Sequence, residues 1–181
     1  MKTNPTMFTS LDLEMNQPSG KIISVGAVVG NITTGEILES LHVFVNPNET
    51  LAPFIIKLTG INQEDVDGAS TLLEAYEQLK AIHLKHEAFI NPITWGGGDS
   101  ETLKEQLPLG TEWIFGRRWI DAKTLFISWR IANGQPIQSG LSRSMVKLGL
   151  AFEGRKHNAK DDAKNTWIIY CKLLQLLKNG K

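Results

Sequence analysis

Two acidic residues, Asp12 and Glu14, lie two positions apart in a short apolar run near the start of the chain. Side chains alternate between the two faces of a β-strand. A strand here therefore projects both carboxylates from one face, and the neighbouring Leu11 and Leu13 from the other. Adjacent carboxylates repel each other unless a proton or a cation lies between them. The pair is explained equally well by an edge strand with solvated charges and by a chemical site. The positions of the other acidic residues are needed to choose between these two interpretations.

A third acidic residue, Asp99, follows three consecutive glycines at the predicted start of a helix. Asp99, Leu103 and Leu107 are spaced four residues apart, which places Asp99 on the buried stripe of that helix. Asp is also a favoured N-cap residue, and capping the helix is the alternative interpretation. Both interpretations hold if Asp99 lies at the helix start, beside the sheet.

The last predicted helix, residues 157–178, contains two neighbouring aspartates that face different ways. Asp161 lies on a mostly polar face and is expected to be solvated. Asp162 shares its face with Thr166, Ile169, Leu173 and Leu176. An unpaired carboxylate facing a core is costly, so we expect a cationic group to meet Asp162. His157 begins the same segment, either as a surface or capping residue or as a member of a site around Asp162.

The elements that must position these residues follow from the hydrophobic pattern. Three predicted strands, joined by short turns, indicate an antiparallel meander: residues 9–15, 21–29 and 37–45. The rest alternates between helices and strands. The predicted helices are 53–58, 62–66, 70–81 with Ser70 as its cap, 122–132, 139–147 and 157–178. The predicted later strands are 87–95 and 113–120. This order predicts an α/β fold with a mixed sheet and helices packed on it.

Composition narrows the class of protein. With 181 residues, 41% of them hydrophobic, we expect one domain over residues 1–181. A formal net charge of zero does not indicate a histone-like, polycationic mode of nucleic-acid binding, but it leaves open nucleic acid held through bound cations. The lone cysteine, Cys171, the lack of a signal peptide and the lack of a long apolar run predict a cytoplasmic protein with no membrane partner.

Four carboxylates and one histidine define the predicted chemistry. Asp12, Glu14, Asp99 and Asp162 offer hard oxygen ligands, which suit Mg²⁺ or Mn²⁺ and argue against structural zinc. Two such cations can activate a water molecule and stabilise a leaving oxygen, which is a mechanism for phosphodiester cleavage. The unperturbed pKa of histidine, about 6.5, suits His157 to take a proton from that water.

Three motifs occur in a characteristic order: D-x-E at residues 12–14, W-G-x-x-D at 95–99 and H-x-A-x-x-D at 157–162. This order resembles the DEDDh, or DnaQ-like, superfamily of 3′–5′ exonucleases. Residues 140–157 and the segment Leu58-Thr-Gly-Ile61 look like the Eri/KapD branch in particular. Two positions depart from the pattern: Met15 stands where threonine is frequent, and Asn158 stands where arginine is frequent.

The resemblance implies an RNase H-like fold with a five-stranded mixed sheet. It also implies that the four carboxylates hold two divalent cations and that His157 acts as general base. The protein would remove nucleoside 5′-monophosphates from the 3′ ends of single-stranded RNA or DNA. By the same analogy, residues around two segments contact the terminal nucleotide: Leu13, Met15, Leu58, Thr59, Gly60 and Ile61. We also expect Trp95, just before the glycines, to line the site.

Two other functions stay open at this point. The chain is also compatible with a nucleic-acid-binding module that has lost turnover, and with a phosphodiesterase for very short oligonucleotides. Substrate length, RNA or DNA preference and overhang requirement are not encoded in these motifs. Similar folds occur as monomers and dimers, so a homodimer is an open alternative.

Overall fold

A five-stranded mixed sheet organises the chain, of which the computed structural model describes residues 6–137 and 140–179. The strands are β1 (Met7–Met15), β2 (Ile22–Asn31), β3 (Ile37–Phe44), β4 (Ile93–Thr94) and β5 (Ile120–Asp121), in the order β3-β2-β1-β4-β5. β1, β2 and β3 pair antiparallel, whereas β4 is parallel to β1 and β5 is parallel to β4. The predicted meander and mixed sheet are confirmed.

Seven helices in the described residues connect and cover these strands. They are α1 (Pro53–Thr59), α2 (Gln63–Asp67), α3 (Leu72–Lys85), α4 (Asp99–Gln106), α5 (Ala122–Ala132), α6 (Leu141–Lys147) and α7 (Ala159–Asn179). α3 packs against β2 and β3, whereas α7 packs mainly against β1 and β2. Within residues 6–137 and 140–179, no helix has the length and apolar character needed to cross a membrane.

The strand alternation divides the core into two layers. On β1 and β2, Leu11, Leu13 and Val25 belong to one apolar cluster with Tyr76 and Leu79 of α3. The next residues along the strands point the other way, where Val28 packs with Trp167 and Tyr170 of α7. Asp12 and Glu14 therefore face the α7 side of the sheet, since they alternate with Leu11 and Leu13.

β4 and β5 are much shorter than predicted. The predictions of strands at 87–95 and 113–120 were wrong over most of their length. Aromatic residues are frequent in strands, but they are equally frequent in buried segments that pair with no strand. Trp113 and Phe115 instead pack around Tyr76, and the Trp113 and Tyr76 rings stack with centroids 5.9 Å apart. Pro92 offers no N–H to a ladder. The absence of a side chain at Gly116 leaves room for the Asn91 side chain, which a Cβ at position 116 would overlap.

Helix ends also differ from the predictions. The N-cap of α3 is Thr71, one residue later than predicted. Thr71 Oγ1 accepts the Glu74 N–H at 3.2 Å, and the Thr71 N–H donates to Glu74 at 2.7 Å. Ser70 instead forms an isolated parallel bridge with Val45. α3 then continues to Lys85, four residues beyond the prediction. α7 begins at Ala159, which leaves His157 in the preceding loop. The helix predicted over 139–147 is α6, and Ser139 lies outside the described residues.

Candidate active site

The acidic pair of β1 lies beside the start of α7 because one glycine lets the helix approach. Asp12 pairs in register with Gly26 of β2. A Cβ at Gly26 would overlap the backbone of Ala159 and Lys160, the first two residues of α7. The helix start therefore rests directly on the strand next to Asp12, which brings Asp162, in the first turn, to the acidic face of β1.

His157 is held beside Asp162 by its own backbone. The His157 N–H donates to Asp162 Oδ2 at 3.1 Å, and the Asp162 N–H donates to the Asn158 carbonyl at 2.8 Å. His157 has a φ of 59°, a left-handed conformation that is uncommon for residues other than glycine. Its side chain is exposed, yet ligand atoms of Glu14, His157 and Asp162 lie within 4.8 Å of one another. An exposed imidazole beside two carboxylates can act as a proton acceptor or as a further cation ligand.

Asp99 approaches the carboxyls of β1 from another direction, since its charge raises the pKa of Asp12 and Glu14. It is the first residue of α4 and follows Gly98, whose φ of 109° takes the chain from β4 into the helix. The N-cap interpretation of Asp99 was wrong, since Gly98 occupies the N-cap position. Leu103, one turn later, is fully buried, so the predicted buried stripe of α4 is confirmed at that position.

The carboxyl groups of β1 lie in one shared electrostatic environment. The pKa of Asp12 is raised well above its ordinary value, mainly by burial and further by the charges of Asp99, Asp162 and Glu14. The pKa of Glu14 is raised to about 8 by burial and then by Asp162 and Asp99. Asp12 and Glu14 are therefore members of a charged cluster rather than an exposed edge.

The two helical carboxyls respond in the same way. Burial raises the pKa of Asp99 to about 7. Burial also raises the pKa of Asp162 to about 6, although the hydrogen bond from the His157 backbone acts in the opposite direction. A cluster of this kind takes up protons or cations. Its donors are four carboxylates with an imidazole beside them, which fits Mg²⁺ or Mn²⁺ far better than a thiolate-seeking metal.

Asp161 is more than the solvated residue that its position predicted. Its Oδ2 accepts the Arg155 N–H at 2.8 Å, and its carboxyl lies so close to Gly154 that a Cβ there would overlap it. The fully buried Asn165, one turn along α7, donates to the Asp161 carbonyl at 2.7 Å and to the Glu153 carbonyl at 2.8 Å. The polar face of α7 therefore fastens the loop that carries His157.

The residues predicted to contact substrate fall into two groups. Leu13, Thr59 and Ile61 have buried side chains, and Thr59 Oγ1 donates to the Ile55 carbonyl at 2.8 Å. Only their backbone remains for a ligand. Met15 packs partly buried against the core. Leu58 is 41% exposed, and Phe54, one turn earlier on α1, is 57% exposed.

Phe54 was not among the sequence predictions. The signal that could have found it is the pair of apolar residues at 54 and 58, which falls outside the buried Ile55–Thr59 face of α1. Gly60 ends α1 with a φ of 72°. Trp95 packs against Phe126 of α5 with ring centroids 5.9 Å apart and is partly buried. Its contribution to substrate binding stays a prediction.

Comparison with known proteins gives this geometry a family. The sequence model of the exonuclease family RNase_T matches residues 8–170. The mouse protein ERI1 exoribonuclease 2 is 29% identical over 183 residues, which cover 87% of this chain and 26% of that protein. The Drosophila melanogaster 3′–5′ exonuclease Snipper is 28% identical over 177 residues, covering 86% of this chain and 61% of Snipper.

Solved structures agree with the sequence relatives. The nuclease domain of 3′hExo, a DEDDh family member bound to rAMP, superposes with a TM-score of 0.78 at 26% identity, covering 94% of this chain and 92% of that one. A full-length 3′-exonuclease gives a TM-score of 0.81 at 27% identity, covering 94% of this chain and 60% of that one.

The chain belongs to the exonuclease family, within its DEDDh, RNase H-like group, so the resemblance expected from the three motifs is confirmed. Exonucleases of the DEDDh type use divalent metal ions. The chain spans about a quarter of the mouse relative and 61% of Snipper.

Proposed function

We propose that this protein is a metal-dependent 3′–5′ exonuclease that hydrolyses single-stranded nucleic acid from its 3′ end and releases nucleoside 5′-monophosphates. The observation that carries the proposal is the convergence of Asp12, Glu14, Asp99, Asp162 and His157 in a chain of the exonuclease family. RNA is the favoured substrate, because relatives are named exoribonucleases and one similar structure is bound to rAMP. Single-stranded DNA is the alternative.

The four carboxylates would hold two divalent cations, Mg²⁺ or Mn²⁺. When bound, such cations supply an activated water and stabilise the charge on the leaving oxygen. The chain itself supplies the rest of the chemistry. His157 accepts the proton of the attacking water, and the loop fastened by Asp161 and Asn165 keeps its imidazole beside Asp162. The terminal nucleotide contacts Leu58, Gly60 and the backbone near Leu13 and Met15.

Removing single charges tests the proposal. The variants Asp12→Asn and Asp162→Asn keep side-chain size but remove a ligand charge, and each should lose at least about 100-fold in the rate of mononucleotide release. The assay follows a 3′-labelled oligonucleotide in Mg²⁺ or Mn²⁺, with RNA and single-stranded DNA side by side. Glu105→Gln, an exposed change on α4, serves as the matched control and should retain activity.

Two outcomes would contradict the proposal. Full activity in either aspartate variant would show that its carboxylate takes no part in the reaction. Tight binding of 3′ ends by the unaltered protein, with no cleavage of either substrate in either metal, would favour a binding module instead.

A further inference from the structure

Two hydroxyl groups are buried behind the carboxyls of the candidate active site. Ser10 lies two residues before Asp12 on β1, so its side chain points to the same side of the sheet as the Asp12 carboxyl. Thr166 lies one turn after Asp162 on α7 and shares its helix face. Both side chains are fully buried, and neither Ser10 Oγ nor Thr166 Oγ1 has a hydrogen-bond partner among the described residues.

The direction of α7 along the sheet follows from two glycines of β2. Gly26 pairs with Asp12, and a Cβ at Gly26 would overlap the first residues of α7. Gly30 pairs with Phe8, and a Cβ there would overlap the Trp167 ring. The helix therefore runs along the strands from the level of Asp12 to the level of Phe8.

This direction places the two hydroxyls at one level of the sheet. Two strand residues span about 6.6 Å and four helix residues about 6.0 Å, so the step from Asp12 to Ser10 matches the step from Asp162 to Thr166. Val28, the partner of Ser10 in the β1–β2 ladder, packs in an apolar cluster with residues of α7. The hydroxyls therefore lie between apolar side chains on one side and the carboxyl cluster on the other.

The indole of Trp95 contributes a third polar atom without a partner. Ile93 pairs with Ser10 between β4 and β1, and Trp95 follows two residues later. The Trp95 ring packs against the apolar cluster that includes Ile169 of α7. Its Nε1 is buried and has no hydrogen-bond partner in the part of the chain that the structure describes. Three unpaired atoms thus lie on the inner side of the carboxyl cluster.

A water molecule matches the hydrogen-bonding capacity of these three groups. Buried polar atoms almost always have a partner, and bound water is a common one where the protein supplies none. A hydroxyl both donates and accepts, whereas an indole N–H only donates. One water molecule can accept the Trp95 N–H and one hydroxyl, and it can donate to the other hydroxyl. Its second hydrogen remains available to the Asp12 carboxyl, an acceptor on the same face as Ser10.

We propose that Ser10, Trp95 and Thr166 hold one buried water molecule that donates a hydrogen bond to Asp12. The three residues are positioning residues, because the water orients the Asp12 carboxyl toward a divalent cation. The inference rests on the proposed function, which places the cation there. Hydrogen bonds of this kind to a ligand typically change cation affinity by about 10 to 100-fold.

Two substitutions of Thr166 separate this role from packing. Thr166→Val keeps the branched shape and removes the hydroxyl, whereas Thr166→Ser keeps the hydroxyl and removes a methyl group. The Kd for Mn²⁺ alone, measured by isothermal titration calorimetry without nucleic acid, should rise at least about tenfold in Thr166→Val and stay within about twofold in Thr166→Ser. A purely structural role predicts the reverse order, because only the serine variant leaves a cavity.

Ser10 tests the other side of the same water site. Ser10→Ala should raise the Kd for Mn²⁺ as much as Thr166→Val does. Ser144→Ala is the matched control, because Ser144 of α6 is also fully buried and its hydroxyl has no partner in the described residues. The control should keep the unaltered Kd. A high-resolution crystal structure of the unaltered protein should show an ordered water molecule in hydrogen-bond contact with Ser10 Oγ and Thr166 Oγ1.

Two results would overturn the inference and leave the proposed function standing. One is an unchanged Kd for Mn²⁺ in Thr166→Val, and the other is a crystal structure without water between Ser10 and Thr166. Nucleotide release by the unaltered protein measures the proposed function separately. An unaltered protein that neither binds Mn²⁺ nor releases nucleotides overturns the proposed function and this inference together.

Discussion

His157 shows how a single residue depends on backbone geometry. Its left-handed φ of 59° and its N–H bond to Asp162 orient the loop, while the imidazole is exposed beside Glu14 and Asp162. The same geometry fits a proton acceptor or a cation ligand. The two roles are separable by experiment, because a base acts on turnover alone whereas a ligand also acts on cation affinity.

His157→Asn is the variant best matched to this position, since asparagine tolerates a left-handed backbone and cannot act as a base near neutral pH. We expect kcat to fall by about 10² to 10⁴-fold. The rise in melting temperature caused by Mn²⁺ should remain close to that of the unaltered protein. His86→Ala serves as a control, because His86 pairs with Glu39 at the end of α3, on the opposite face of the sheet from α7. Loss of the Mn²⁺ effect in His157→Asn would identify His157 as a ligand.

At the scale of elements, the contact between β2 and α7 positions two of the five candidate site residues. Asp162 and His157 belong to the start of α7, and that start rests on Gly26 without an intervening side chain. Glycine is needed at position 26 because it lets the α7 backbone approach β2 closely, and not because it adopts an unusual φ. Any side chain at position 26 would separate Asp162 from Asp12.

Gly26→Ala should therefore both destabilise the protein and depress its activity. Overpacking against a helix backbone costs about 1–3 kcal/mol, and a displaced α7 weakens the carboxylate cluster. Gly68→Ala is the matched control: Gly68 has a φ of −103°, and a Cβ there meets no atom within 4 Å. Urea unfolding and nucleotide release measure the two effects. An unchanged Gly26→Ala variant would show that α7 does not rest on β2 as described.

Periodicity predicted the larger elements and missed those whose form depends on tertiary contacts. The runs of alternating or β-branched residues around Leu11 and Val25 indicated strands because burial on such strands has a clear period. Trp113 and Phe115 have the same local character but pack around Tyr76 without extending the sheet. Thr71 forms a capping box with Glu74 three residues later, a signal present in the sequence, whereas Ser70 has Leu73 at that spacing and forms a bridge with Val45.

The sequence indicated which residues form the candidate site, but it did not indicate which contacts hold them in place. Asp99 and Asp162 were marked by their positions on helix faces that otherwise carry apolar residues. Asp12 and Glu14 were marked as two carboxylates on the same face of one strand. The roles of Gly26, Asp161 and Asn165 were not predictable, because they depend on contacts between residues distant in sequence or on a loop path. The functional roles of the site residues stay predictions until the variants are measured.

For the molecule as a whole, the acidic cluster couples stability to pH. The folded pKa values of Glu14 and Asp99, about 8 and about 7, lie above the ordinary values of these groups. Such groups favour the folded state at low pH, and this contribution is lost as pH rises through the folded pKa. The pKa of the buried His83 is lowered to about 4, so its contribution to stability increases as pH rises. This increase is complete by about pH 6.5 and does not act above it.

In chelator, the melting temperature should accordingly fall between about pH 6.5 and pH 8. Mg²⁺ or Mn²⁺ should reverse the fall, since a ligand present at about 100 times its Kd stabilises by about 2.7 kcal/mol. Glu14→Gln should flatten the dependence in chelator because one titrating group is gone. Differential scanning calorimetry with and without cation measures all three effects. A melting temperature that rises over this pH range in chelator would contradict the assigned electrostatics.

The distance in sequence between β1 and the start of α7 has a consequence for biosynthesis. A ribosome makes Asp12 and Glu14 long before it reaches His157 and Asp162. Until α7 has been synthesised and packs against Gly26, the growing polypeptide contains only part of the candidate active site. A product that ends at a premature stop codon before α7 would lack His157 and Asp162, and we expect it to release no nucleotides.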